Sequence, residues 1–121
     1  MSVLRIGFIG HAGTRVLLVD FSNCVAAEVE KMARAVPDVV TTQPHGSVLI
    51  LCDFSSASFD HDAIRALKEA AVFNKPYIKK SAWTGTESFP EEFRQNLMSF
   101  SRREFPIFKS REDALEWLVA D

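Results

Sequence analysis

Apolar and polar positions alternate from the first residues of this chain. In "VLRIGFIG", Leu4, Ile6 and Phe8 are interleaved with Arg5 and Gly7, a period of two that predicts a strand with one covered face. "HAGT" (His11 to Thr14) supplies a turn, and "RVLLVD" (Arg15 to Asp20) follows so closely that the two runs predict an antiparallel hairpin. Val16 to Val19 is unbroken by a polar residue, as in a strand buried on both faces. After "DFSN" the period changes. Val25, Val29, Met32 and Val36 form one helical stripe within a helix expected over Cys24–Val36 and ended by Pro37.

The same grammar continues. "SVLILCD" is a second buried strand, and the helix after it starts near Asp60 with Ile64, Leu67 and Ala71 on one face. Lys75 and Pro76 lead into a fourth strand, "PYIKKSAW". Ser88, Phe89, Pro90 and Glu91 have the spacing of a capped helix start, with Phe93, Leu97 and Phe100 as its apolar stripe and Arg102 and Arg103 near its end. "FPIF" (Phe105 to Phe108) is a short fifth strand. A last helix, "SREDALEWLVAD", begins with Ser110 and Asp113 at capping-box spacing and carries Leu115, Trp117 and Leu118.

Strands that alternate with helices predict an α/β domain over residues 1–121: a mixed, mostly parallel five-stranded sheet with an N-terminal antiparallel hairpin strand at its edge and about four helices. A chain of 121 residues buries a core without staples, and 47% apolar with 25% charged residues is an ordinary globular balance. The net charge of −2 excludes the broad basic face that non-specific nucleic-acid binding needs. Cys24 and Cys52 read as small buried thiols, without Cys-x-x-Cys spacing or a histidine cluster to make a metal site. No long apolar run and no basic-then-apolar leader stands in the sequence, so a reduced, cytoplasmic protein is the expectation.

The strand "VLLVDFSN", then "SVLILCDFSSASFD", "NKPYIKKSAWTG" and the closing "FPIFKSREDALEWLV" together resemble the SpoIIAA-like group of STAS proteins, over nearly the whole chain and in order. The resemblance implies a bacterial regulatory module without catalytic apparatus or cofactor. In antagonists of that group, a loop of the form "DLSGVxFIDSSG" carries a serine at a helix start. A partner kinase that is also the anti-sigma factor phosphorylates it and so prevents binding. "DFSSASF" (Asp53 to Phe59) fits this pattern, but the switch position falls on Asp62, between His61 and Ala63. Asp62 then has two readings: a permanent charge in place of the phosphate, or a first-turn acid that favours the helix dipole. The second is preferred. Asp60 likewise reads as the helix N-cap, while Ser55, Ser56 and Ser58 are substitute acceptors or loop-capping hydroxyls.

Other constellations carry less. Asp20 and Asp53 end two apolar strands, and Lys79 and Lys80 follow the fourth, suggesting a receiver-like acidic pocket. The second acid such a pocket needs after the first strand is missing from "FIGHAG". The glycines of "GFIGHAG" do not have dinucleotide spacing, and His11, His45 and His61 are scattered. Lys75, Lys79, Lys80, Arg94, Arg102, Arg103, Lys109 and Arg111 crowd the second half and read mostly as solvated faces. Lys79 and Lys80, with Ser81, Trp83 and Thr84 beside them, are the exception, offering charge, hydroxyls and an aromatic plate to an anionic ligand. The group is also compared with the CRAL-TRIO lipid-transfer fold, which adds a lipid to the candidates.

The leading expectation is a non-enzymatic module that binds a protein partner, such as a kinase or anti-sigma-like regulator. Its contact surface is Asp53, Ser55, Ser56, Ser58, Asp60, His61 and Asp62. The alternative is a small anionic-ligand or lipid-binding protein using Asp20, Lys79, Lys80, Ser81, Trp83 and Thr84. The edge strand offers a homodimer surface.

Overall fold

The structure is a computed structural model and describes residues 5–89, 91, 95 and 106–120. Its sheet has five strands in the order of the sequence: β1 (Ile6–His11), β2 (Thr14–Asp20), β3 (Val48–Asp53), β4 (Ile78–Thr84) and β5 (Ile107–Phe108). β1 and β2 are antiparallel, and every later pair is parallel. The expected mixed sheet with a leading antiparallel edge is therefore present. His11 pairs with Thr14 across a two-residue turn in which Ala12 (φ 52°) and Gly13 (φ 78°) are both left-handed, the geometry that matches strand twist in a tight hairpin.

Three α-helices stand among the described residues. α1 (Ala26–Val40) and α2 (His61–Asn74) cover one face of the sheet, and α3 (Arg111–Val119) covers the other. The unbroken apolar runs of the strands are explained by this sandwich, because alternate side chains serve two cores. Leu17, Val19, Val48 and Ile50 point to the α1/α2 side, while Val16, Leu49, Leu51 and Ala82 meet Ala114 and Leu118 of α3. No helix among the described residues is long and apolar enough to cross a membrane.

Several boundaries differ from the sequence reading. α1 does not end at Pro37 but runs through it to Val40, whose side chain is fully buried. A proline inside a helix costs about 3 kcal/mol. Burying Val40 one turn beyond Val36 returns about 1.5–3 kcal/mol, and Pro37 still accepts the N–H of Thr41. Val25 is not part of the buried stripe. It is the N-cap, 57% exposed, and its N–H is taken by the Glu28 carboxylate at 3.0 Å. The buried stripe is Val29, Ala33, Val36 and Val40.

Pro76 and Tyr77 belong to a short 3-10 turn (Lys75–Tyr77) rather than to β4, and β5 is only two residues long. A second such turn covers Thr86–Ser88. Of the helix expected from Ser88 onward, Phe93, Leu97, Phe100, Arg102 and Arg103 lie outside the described residues, as do Leu4, Arg94 and Phe105; Ser88 itself ends the second 3-10 turn. Cys24 is buried and Cys52 half-buried, neither in a disulfide, and burial pushes the Cys24 thiol up from its ordinary pKa.

Candidate functional site

At the carboxyl ends of β2 and β3 the chain writes the same three residues twice, Asp20-Phe21-Ser22 and Asp53-Phe54-Ser55, and folds them in the same way. Asp20 Oδ1 accepts the Ser22 N–H at 3.0 Å and its hydroxyl at 2.5 Å; Asp53 Oδ1 accepts the Ser55 N–H at 3.0 Å and its hydroxyl at 2.7 Å. An aspartate bonding its own backbone two residues on is the Asx turn that lets a strand stop sharply. Each copy then places the next residue in the left-handed region, Asn23 at φ 60° and Ser56 at φ 58°. The copies lie side by side. Phe21 N–H donates to Asp53 O and Asn23 N–H to Ser55 O, both at 2.8 Å, and the two phenylalanine rings stack 4.8 Å apart.

Two parallel carboxylates at neighbouring strand ends need a cation. Arg111, the first residue of α3, supplies it: Nε donates to Asp53 Oδ2 at 2.6 Å and Nη2 reaches Asp20 Oδ1 at 2.9 Å. Arg5, just before β1, closes the other side. Its guanidinium donates to Asp20 O at 2.9 Å and to Ser22 O, and lies 3.6 Å from Asp20 Oδ1. A cation in a helix's first turn opposes the dipole, and here the two aspartates, with Glu112 and Asp113 in the same turn, offset that.

Burial works against charge on both aspartates, yet it is outweighed. Hydrogen bonds from Ser22 and the Arg111 charge hold Asp20 below the usual carboxylate range, and Ser55 with Arg111 does the same for Asp53. Burial also disfavours the Arg111 charge, but the two carboxylates keep its pKa raised. Both acids are thus favoured in the ionised form, and their bonds fasten the two loops to α3.

This has a pH consequence. A carboxylate whose folded pKa lies below its unfolded value, here 3.8, contributes stability that is complete above that value and is lost as pH falls through the folded one. The melting temperature is therefore expected to stay flat from pH 7 to about 5 and to fall below about pH 4. Asp53→Asn should flatten that acid limb in a series of thermal melts. An unchanged limb would remove Asp53 from the account.

The predicted loop divides into two halves. Asp53, Phe54 and Ala57 are buried and Ser55 is half-buried, its hydroxyl given to Asp53. Ser56, Ser58, Asp60, His61 and Asp62 are exposed. Asp60 is the N-cap of α2, accepting the Ala63 N–H at 2.8 Å, and Asp62 stands in the first turn beside it. The Ser58 N–H donates to Cys24 O at 2.9 Å, which sets the exposed Val25 next to this loop.

The second predicted group does not converge. Lys79 and Lys80 do not follow β4 but lie near its start, with Lys80 four residues, about 13 Å, before Thr84, which pairs with Asp53. A register shift in the β3–β4 pairing between Val48 and Leu49 leaves Lys79 between the paired residues Ile78 and Lys80. Lys79 lines an open groove with Arg15, whereas Lys80 Nζ donates to Trp117 O at 3.0 Å and Ala120 O at 2.8 Å at the far end of α3. Ser81, Trp83 and Thr84 are buried, so Trp83 is not an exposed plate. It closes an aromatic cluster with Phe54 and Phe89. The histidines stay apart: His11 on Glu116, His45 against Tyr77, His61 opening α2. Among the described residues, no group of three or more His, Cys, Asp or Glu side chains is placed to hold a metal ion.

Arg111, Arg5 and Ser22 belong to the site although nothing in their own surroundings in the sequence marks them. The signal that points to them is the doubled Asp-Phe-Ser at two adjacent strand ends, which places a buried acid and a half-buried one together and so calls for a cation between them.

The chain is thus an α/β sandwich with one antiparallel edge, its β2 and β3 end loops tied to α3. The chain is similar over 93% of its length to a solved structure of an uncharacterised protein from the DUF3478 family with a SpoIIAA-like fold, from Shewanella loihica PV-4. The TM-score is 0.70, the identity is 18%, and 91% of that chain is covered. The chain matches no family model and no curated protein sequence. Its fold is SpoIIAA-like.

Proposed function

We propose that this chain is a non-enzymatic regulatory module that meets a protein partner through the loop–helix junction at residues 53–62. One observation carries the reading: the junction is rigid on its inner side and presented on its outer side. Asp53, Ser55 and Asp60 are spent on holding the loop and the helix start, which leaves Ser56, Ser58, His61 and Asp62 exposed on a fixed platform, with Val25 beside them. A preorganised surface of this kind loses little entropy on binding. Against catalysis stand the two neutralised aspartates and the separated histidines. A kinase or anti-sigma-like regulator suits the role, with Ser56 and Ser58 as the reachable hydroxyls. The anionic-ligand alternative has less support, since the Lys80 ammonium is already occupied by carbonyls of α3.

The test is a protein carrying both Asp62→Lys and Ser58→Ala. It should melt within about 2 °C of the wild type, because both positions are exposed. Its affinity for a partner captured from the host and then purified should fall about tenfold or more, as a reversed charge at an interface demands. Unchanged affinity for every captured partner, with the melt intact, would sink the proposal.

A further inference from the structure

The buried positions of α2 are four alanines and one amide, Ala63, Ala66, Ala70, Ala71 and Asn74. Ala70 and Ala71 face Ala33 of α1 over the floor formed by Ile50 and Trp83, and a cavity of about 50 Å³ remains between them. Asn74, one turn further along α2, completes its wall. That side chain is only 5% exposed, and its Oδ1 has no hydrogen-bond partner among the described residues. A buried amide oxygen left unpaired is costly, and its neighbours here are almost wholly apolar.

Water is a poor solution. The space would take roughly three molecules, but a buried water needs two to four polar partners. Besides Asn74, the polar side-chain groups of the lining residues are the Ser81 hydroxyl, the Cys52 thiol and the Trp83 indole N–H, and all three residues have interactions of their own. What complements one lone acceptor in an apolar chamber is a molecule with one donor and no other polar group.

We propose that this chamber beneath α2 is a binding site for a compact, apolar molecule of about five heavy atoms carrying a single N–H or O–H, received by Asn74 Oδ1. The site is separate from the 53–62 surface and goes beyond the protein-contact reading. Its failure would leave that surface untouched, because the two are read on different variants and different probes.

Pyrrole and furan test it directly. The two rings have nearly the same size and shape, but only pyrrole has a donor. In NMR titrations of the full chain, pyrrole should shift resonances of Ala71, Asn74 and Trp83 saturably. It should bind about 3- to 10-fold tighter than furan, the ratio one hydrogen bond supplies. Asn74→Leu should erase that preference, and Ala71→Leu, which fills the chamber, should abolish binding of both. Absence of saturable binding in the wild type, equal affinity for the two rings, or pyrrole binding that survives Ala71→Leu would each overturn the proposal. The wild-type comparison alone decides if either variant fails to fold.

Discussion

Arg111→Ala lowers the stability of this domain by about 2 kcal/mol at pH 7, a fall of about 6–12 °C in melting temperature. The reason is the carboxylate it abandons. Asp20 keeps Arg5 at 3.6 Å and both Ser22 bonds, but Asp53, only 6% exposed, keeps only the Ser55 bonds among the described residues. Breaking a fully buried pair costs about 3–5 kcal/mol. The loss here is smaller because the Arg111 side chain is 39% exposed and water can enter in its place. A double-mutant cycle isolates the effect: in an Asp53→Asn background, Arg111→Ala should cost much less, since the orphaned charge is gone. Strict additivity of the two changes would show that the ion pair holds nothing. Arg111→Lys should recover less than half, because one ammonium cannot match the fork that spans two carboxylates.

The size of that effect follows from how little else secures α3. Nine residues do not sustain a helix alone, and its fully buried anchors are Ala114 and Leu118. Cations grip both ends instead. Arg111 ties the first turn to the strand ends, against the dipole. Lys80 binds the last carbonyls and lies 4.7 Å from the Trp117 ring centroid, in accord with the dipole. The helix is therefore a strap across the sheet, buckled to β2 and β3 at one end and to β4 at the other. Through Asp53 the strap also holds the start of the 53–62 loop.

Most of the architecture was legible because strands and helices have different periods. "RVLLVD" and "SVLILCD" are too short and too apolar for anything but buried strands, and Ser110 and Asp60 sit where caps belong. Pro37 misled because a local rule lost to the burial of Val40, a contact with no local signature. Lys79 and Lys80 misled differently: they read as following the fourth strand, but β4 runs on through Ser81–Thr84 beyond them and leaves both near its start. The acids Asp20 and Asp53 were readable as neighbours. Their cation was not, since Arg111 is 58 residues from Asp53 and looks like any charge in a helix's first turn. Asn74 is equally silent in sequence, an amide at the end of an alanine-rich face whose unpaired oxygen exists only in three dimensions.

Gly85→Ala should be the most damaging single substitution in the candidate site, costing about 3 kcal/mol or more and lowering the melt by about 10 °C. Gly85 follows β4 at φ 69°, where an L side chain is already strained. The larger penalty is steric. An added Cβ would collide with the N and Oγ atoms of Ser55 and lie 2.6 Å from its Cα, and two of those three atoms are backbone. Ser55 cannot step aside cheaply, because its N–H and hydroxyl are both bound to Asp53, which Arg111 holds in turn. The alanine must therefore push the whole 53–62 loop off its platform. Amide exchange at Ser55 and Ala57 should accelerate with the loss of stability, and partner affinity should fall although no contact residue has changed. Gly85→Asn separates the two causes, since asparagine tolerates the left-handed backbone but carries the same Cβ. An asparagine variant as unstable as the alanine variant assigns the cost to the Ser55 contact. One close to the wild type assigns it to the backbone angle and frees the loop from Gly85.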